Sequence, residues 1–258
     1  MIEVLVTSVA GKPIFHSDPD IDPDRLSSLC AFVQATVANY SMLYDEEEEM
    51  EGQHRSYVSF QCDDETFIGV WTVKNLVFIA VCRGGLSCSK GAILNGNSEE
   101  CTDESLSSNQ DRKKRKSTAF VEAYVQMLLE YMYGVMLFVM TDQLQFILDG
   151  APNFDLTNIL GRDTEVLMRA LLEESKCSGA YLSGAVEVVT MDPDLRHELS
   201  TILKSQLQNQ ALYSFLILEG RVLCFLQPRH RFRLSSSDIH LIVNFVKNQP
   251  GLKKTESW

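Results

Sequence analysis

None of the seven cysteines forms a Cys-x-x-Cys pair, and the histidines at 16, 54, 197, 230 and 240 supply no closely spaced partners. A structural zinc site needs such paired ligands, so none is expected. No Gly-x-Ser-x-Gly turn occurs, which removes the nucleophile elbow of the α/β-hydrolases. Basic charge is in short supply: 23 Lys and Arg stand against 35 Asp and Glu, a net charge of −12. That balance argues against general nucleic-acid binding, which needs a basic face. The N-terminus has no basic segment ahead of an apolar core, so no signal peptide is expected. A long apolar run is missing too. In the best candidate, 119–140, Glu122, Gln126 and Glu130 recur every fourth residue as one polar stripe. Only 131–140 is uninterrupted, against the roughly 20 residues a span requires. A buried amphipathic helix of a soluble chain is predicted.

What the chain does contain is a globular mixture, 45% hydrophobic and 22% charged in 258 residues, enough for one large domain or two small ones. The cysteines are odd in number, and several lie in apolar runs such as Val81-Cys82 and Leu223-Cys224-Phe225. They predict buried free thiols in a reducing compartment.

Two short strands, 2–9 and 13–16, flank the turn Ala10-Gly11-Lys12. Asp22 and Pro23 then open a helix whose apolar face is Leu26, Leu29, Phe32/Val33 and Val37. An acidic loop at 45–52 leads to three β-branched and aromatic runs, 56–62, 66–73 and 75–82, an antiparallel meander. Residues 83–118, rich in Ser, Asn and Gly, predict a disordered insertion. Helix follows at 118–140 and on to Leu148, is broken by 149–152, and resumes at 163–175. The core order is ββ-α-βββ-αα, an α+β five-stranded sheet with helices. Beyond it, 184–191 reads as strand and 192–208 as helix. The stretch 212–226 then gives two apolar runs about Glu219-Gly220-Arg221, followed by a last helix. Residues 212–248 repeat the plan of 2–42, so a second copy of the same domain, cut off after its first helix, is expected. The predicted organisation is a first domain over 1–175, a connecting strand and helix over 176–210, and an incomplete second domain over 211–258, with an exposed or paired sheet edge.

Each candidate for chemistry meets a structural alternative. Gly11-Lys12 beside a strand is a fragment of a P-loop, but no glycine precedes it and Pro13 replaces the Ser/Thr, so a hairpin turn is predicted. Asp18, Asp20, Asp22 and Asp24 alternate as calcium ligands do. Pro23 and Leu29 stand where an EF-hand needs its glycine and closing glutamate, so capping is predicted instead. Cys82 and His54 are a candidate nucleophile–base pair by sequence proximity alone, and a core cysteine is predicted instead. Arg112-Lys113-Lys114-Arg115-Lys116 has the composition of a nuclear-import signal, a solvated charge run or a contact for acidic membrane. Arg229, Arg231 and Arg233, about His230 and Phe232, form an exposed basic loop or bind acidic lipid headgroups. No catalytic, cofactor or metal-binding residue is predicted, and the residues point to an interaction platform.

Gly11-Lys12-Pro13-Ile14-Phe15 and Asp24-Arg25-Leu26-Ser27-Ser28-Leu29 resemble the opening of the SAND (Mon) family of vacuolar-fusion proteins. Asn153-Phe154-Asp155-Leu156 with Ile159-Leu160-Gly161 resembles a further segment of that family, and Glu256-Ser257-Trp258 the start of another. Arg162 departs from the family pattern, the 83–118 insertion is long for it, and members carry three longin domains. The resemblance implies a longin fold for the first domain and the start of a second. It implies pairing with a Ccz-type longin partner as a guanine nucleotide exchange factor for the late-endosomal/vacuolar Rab GTPase. That activity serves endosome maturation, fusion with the vacuole or lysosome, and autophagy. A trafficking adaptor without exchange activity is the alternative. No cofactor is implied. Leu29, Phe32, Val33, Gln34, Val37 and Tyr40 on the first helix are the expected partner and Rab contacts. The chain is expected in the cytoplasm, recruited peripherally to endosomal or vacuolar membrane, with Arg229, Arg231 and Arg233 on phosphoinositide.

Overall fold

The computed structural model describes residues 2–44, 55–62, 66–83, 106–151, 156–207, 212–227 and 233–249. The acidic loop 45–52, His54, most of the 83–118 segment, Asn153-Phe154-Asp155, Arg229, Arg231 and the Glu256-Ser257-Trp258 motif lie outside them. Contacts divide the chain into two compact units, Met1–Glu130 with Asp142–Ile159, and Tyr131–Thr141 with Leu160–Trp258. This division follows contacts, whereas the boundary at 175 expected from sequence follows element order.

The first unit is built on a five-stranded antiparallel sheet of β1 (Ile2–Ser8), β2 (Pro13–His16), β3 (Arg55–Gln61), β4 (Thr66–Val73) and β5 (Leu76–Arg83). The strand order is β2-β1-β5-β4-β3. The meander is present, and β1 inserts beside its last strand, with pairing from Ile2↔Cys82 to Ser8↔Leu76. The expected ββ-α-βββ-αα longin order is therefore present.

Alternation sorts the side chains onto two faces. Leu5, Ile68, Val70, Val77 and Ile79 face α1 (Pro23–Tyr44), which buries Cys30 and Val33 against them. Val6, Phe78 and Trp71 lie on the opposite face by register, the two rings 5.5 Å apart. On that face Gly69 lets α2 (Leu106–Met140) approach: a Cβ there would sit 2.4 Å from Val125 Cγ1. Ser59 Oγ donates to Glu122 at 2.7 Å, fixing β3 to the same helix.

Helix α2 begins at Leu106, twelve residues before the expected 118, so the last part of the supposed disordered insertion is helical. Its Gln, Arg and Lys residues are good helix formers, and their hydrophilicity hid that propensity. Ala119–Met140 is by length and composition apolar enough to cross a membrane. In the fold its Val125, Leu128, Leu129, Met132 and Met136 are fully buried in protein, and Gln126 and Glu130 are exposed, as the polar stripe predicts. Thr141, at φ 53, ends α2, and the chain restarts as α3 (Asp142–Gly150).

The second unit contains α4 (Thr157–Cys177) from Leu160 on, α5 (Ala180–Ser183), α6 (Pro193–Leu207), the hairpin β6 (Ser214–Leu218) and β7 (Arg221–Leu226), and α7 (Ser236–Asn248). Gly161, at φ 65 and ψ 168, breaks α4. The helix expected over 163–175 is the part after this break. The strand expected at 184–191 is not formed. Only Val188 bridges, parallel to Val222, with Val189 N–H donating to the Val222 carbonyl. Its β-branched residues gave strand propensity, but propensity without a flanking partner makes only an edge contact. α7 opens with a capping box, Ser235 and Asp238 bonding reciprocally. Its buried residues are His240 and Asn244, so its inner face carries polar groups.

In the first unit one carboxylate joins four elements. Glu3 on β1 is buried, with His16 Nε2 at 3.2 Å from its Oε1, Arg25 Nη2 of α1 at 3.1 Å and Arg83 Nη1 of β5 at 3.3 Å. Glu3→Gln leaves two arginines without their anion. Breaking a buried ion pair costs about 3–5 kcal/mol. The arginine side chains are half-exposed, and with water able to resolvate them, a loss of about 2 kcal/mol is expected, read by urea denaturation. A midpoint equal to wild type would show the cluster to be dispensable.

Candidate functional site

The outer face of α1 is the candidate interaction surface. Asp22 caps this helix as expected, its Oδ2 accepting from Arg25 N–H at 3.2 Å and its carbonyl from Leu26 N–H at 2.9 Å. From Leu26 to Tyr44 no residue is charged. The exposed positions there include Ser28, Ala31, Phe32, Ala35 and Ala38, small residues around one aromatic that is 52% exposed. Ser28, Ala31, Ala35 and Ala38 follow a 3,4,3 spacing, so they share a stripe of the helix. Depletion of charge around an exposed aromatic is the composition of an interface core. Exposed Asp18, Asp20, Asp22 and Asp24 lie at the N-terminal end of this helix. They do helix-capping and loop work: Asp18 Oδ1 accepts from Asp20 N–H at 3.0 Å.

The residues expected on this surface divide. Phe32 and Gln34 are exposed, Leu29 and Val37 are half-buried against the core, and Tyr40's side chain is outside the described set. Val33 is corrected: it is 4% exposed and packs under the helix, so it supports the surface without forming it. A single apolar stripe was read as contact, but part of it is the core-facing side of an amphipathic helix.

Gln34 covers the β1–β2 turn. Gly11 has φ +79, and a Cβ on it would lie 2.3 Å from Gln34 Cδ and Nε2. Gly11 N–H donates to the Ser8 carbonyl at 2.8 Å and Lys12 N–H to Ser8 Oγ at 3.1 Å. The amides a phosphate would need are therefore spent on the turn itself. Lys12 and Pro13 are exposed beside it. Of the other motif residues, Leu156 and Leu160 are buried core and Gly161 is the left-handed break in α4.

A concave feature of about 240 Å³ lies within the second unit, lined among others by Glu174, Tyr181, Glu187, His240, Val243 and Lys247. Sequence inspection missed it, because its residues come from five separate segments. Its polar groups pair with one another. Tyr131 O–H donates to His240 Nδ1 at 2.6 Å, and His240 Nε2–H to the Ala185 carbonyl at 2.8 Å. Glu174 accepts from Tyr181 O–H at 2.8 Å and pairs with Lys247. Glu187 accepts from Ser178 O–H at 2.7 Å. Burial, then the neighbouring Glu174, pushes the Tyr181 phenol well above its ordinary range, so it stays a donor. These polar groups satisfy one another, and Glu187 and Lys247 remain about half-exposed. Among the described residues no group of three His, Cys, Asp or Glu side chains is arranged to hold a metal.

The thiols sort by burial. Cys30, Cys82 and Cys224 are buried free thiols, while Cys62 and Cys177 are exposed, contrary to a uniformly buried set. Burial pushes the Cys82 thiol from 9.0 to about 11, the reverse of what a nucleophile needs. Iodoacetamide at neutral pH should therefore label Cys62 and Cys177 and leave Cys82 unmodified by mass spectrometry; early modification of Cys82 would contradict this. The same shift sets a pH dependence. Between pH 9 and 11 the unfolded chain releases this proton and the folded chain keeps it, so stability falls as pH rises through that window.

Residues 209–258 match the family model described as the second longin domain of FUZ, MON1 and HPS1. The vacuolar fusion protein MON1 of Cryptococcus neoformans is 28% identical over 139 residues, 53% of this chain and 22% of that protein. The MON1 homolog of Oryza sativa is 25% identical over 130 residues, 50% of this chain and 23% of its own. MON1 homolog B of Mus musculus is 30% identical over 109 residues, 41% of this chain and 20% of its own. The matched stretch thus spans roughly a fifth of the length of these relatives. Over about half of its length the chain is similar to the MON1 vacuolar fusion proteins, with the ββ-α-βββ-αα order in its first unit and a second-longin match at 209–258.

Proposed function

We propose that this chain works in vacuolar fusion and membrane trafficking as the longin subunit of a two-subunit guanine nucleotide exchange factor. Its GTPase is of the late-endosomal/vacuolar Rab class, and its partner is a Ccz-type longin protein. The observation that carries the reading is the charge-free outer face of α1, centred on Phe32 and mounted on a β2-β1-β5-β4-β3 sheet. The likeness to proteins named for vacuolar fusion supports the pathway. Small residues at Ala31, Ala35 and Ala38 let a partner helix approach closely, because interaxial distance depends on the side chains at the contact.

Exchange by this route needs no general base and no covalent step. A platform that binds the nucleotide-free GTPase more tightly than the nucleotide-bound form weakens nucleotide binding by the same differential. The partner and the GTPase supply the remaining surfaces. Recruitment to endosomal or vacuolar membrane from the cytoplasm belongs to the same reading. Arg233 is exposed, and with Arg229 and Arg231 it would favour anionic headgroups.

The test is release of labelled GDP from the Rab, with and without the longin partner. Wild-type chain with partner should accelerate release, and Ala35→Glu should cut partner binding and release by at least about tenfold while leaving the melting temperature unchanged. Partner binding without any acceleration would replace this reading with the adaptor alternative. A second measurement addresses the membrane: replacing Arg229, Arg231 and Arg233 by Ala should reduce co-sedimentation with phosphoinositide liposomes, and unchanged co-sedimentation would remove them from membrane contact.

A further inference from the structure

The run Arg112-Lys113-Lys114-Arg115-Lys116 is absorbed neither by the core of the fold nor by the proposed exchange activity. Its composition fits an import signal, a solvated charge run or a membrane contact, and the sequence predicts coil for it. The structure places it on α2, which is continuous from Leu106 to Met140. Successive helical positions step by about 100°, so five consecutive cations occupy the whole circumference. No face of this stretch can pack on an apolar core, because every azimuth carries a charge that burial would strip of water.

Position along the helix sets the run apart from the rest of the chain. The first buried side chain described on α2 is Val121, and Glu122 and Val125 then meet β3 and β4. At about 1.5 Å per residue, positions 112–116 stand about 7–14 Å ahead of Val121, on the order of a Debye length at physiological salt. The net charge of −12 is therefore a poor guide to the field at the run.

Two further observations select a membrane surface. Arg112 repels Arg115 and Lys116 at i,i+3 and i,i+4, and Lys113 repels Lys116, with only Asp111 placed to offset them. Such pairs weaken an isolated helix, and an anionic surface alongside removes that penalty. Just after the run α2 carries Phe120, which is 44% exposed although Val121, Tyr124 and Val125 are buried. Phe120 stands four positions from Lys116 and seven from Lys113, so the three share one stripe of the helix. Cations and an aromatic ring on one stripe are the composition of a helix that lies at the headgroup boundary.

We infer that the N-terminal part of α2 is a contact for anionic membrane, in which the 112–116 run meets acidic lipid headgroups and Phe120 enters the boundary. This contact is separate from the one proposed for Arg229, Arg231 and Arg233, and it does not depend on nucleotide exchange.

The experiment is co-sedimentation of the full chain with vesicles of phosphatidylcholine alone or with about 30% phosphatidylserine, at about 0.15 M salt. The chain carries Arg229→Ala, Arg231→Ala and Arg233→Ala throughout, so that the other basic loop does not mask a loss. It should bind the anionic vesicles only, and 106–120 should gain protection from hydrogen exchange on binding. Adding Arg112→Gln, Lys113→Gln, Lys114→Gln, Arg115→Gln and Lys116→Gln keeps helix propensity, and should weaken binding by at least about tenfold. Phe120→Ser alone should weaken it about threefold. Circular dichroism and melting temperature check that each variant is folded. Unchanged binding in the Gln variant overturns the proposal and leaves the run a solvated face. Failure of the unsubstituted run to bind, as when the chain's own acidic residues cover it, overturns it too. So does tighter binding of the run to single-stranded RNA than to the anionic vesicles, which would assign it to nucleic acid.

Discussion

The first unit depends on the insertion of β1 between β2 and β5. Its pairing with β5 joins residues about seventy positions apart, and both faces of the sheet are organised around it. Val4 and Val6 are fully buried on one side and Leu5 is buried on the other, so a one-residue slip would exchange the two sets. Glu3 adds a polar constraint to the same register. Its carboxylate meets His16, Arg25 and Arg83 only when β1 stands one residue-pair from the end of β5. Buried ion clusters add little net stability over apolar packing, but a misregistered β1 would bury the carboxylate alone. The cluster therefore acts against wrong registers more than it strengthens the right one.

That register also places the candidate surface. Arg25 is held by Glu3, and Cys30 and Val33 dock on Leu5, Val70 and Ile79, which fixes the rotation of α1 about its axis. Ala31, Ala35 and Ala38 then face outward as a consequence of inward packing. Gln34 lies over Gly11, so the β1–β2 turn and the helix form one continuous surface. Gly11 of the motif thus has a physical reason: its φ of +79 favours glycine, and a Cβ there would displace the end of the Gln34 side chain.

Much of this was legible in the residues. The meander strands showed themselves through β-branched runs between short polar breaks, and Asp22-Pro23 announced the start of α1. The repeated plan at 212–248 was visible from two apolar runs about Glu219-Gly220-Arg221 and the helix that follows them. What stayed hidden was set by tertiary partners. Val33 and Phe32 are neighbours in sequence and equally apolar, and only packing decides that one is core and the other surface. The 184–191 run has strand propensity but only Val222 to bridge. The inward turn of His240 and Asn244 on α7 was not visible either, because it depends on the Ala185 and Leu167 carbonyls that their imidazole and amide groups find. The start of α2 was hidden for a different reason, since Arg- and Lys-rich sequence is compatible with both helix and solvated coil.

An interaction platform is hard to recognise by the criteria that identify enzymes. Perturbed ionisations, where they occur here, run in the unreactive direction: the Cys82 thiol is raised by burial, and the Tyr57 phenol is raised by burial and then by Glu122. Both stay protonated where a catalytic group would be driven to ionise. The informative signal is instead a local absence of charge. In a chain with 22% charged residues, nineteen consecutive uncharged positions on a helix that exposes Ala31, Phe32, Ala35 and Ala38 need an explanation. Solubility alone would favour Lys and Glu at Ala31, Ala35 and Ala38, since both are strong helix formers. A surface kept neutral and small against that preference has the composition of an interface core.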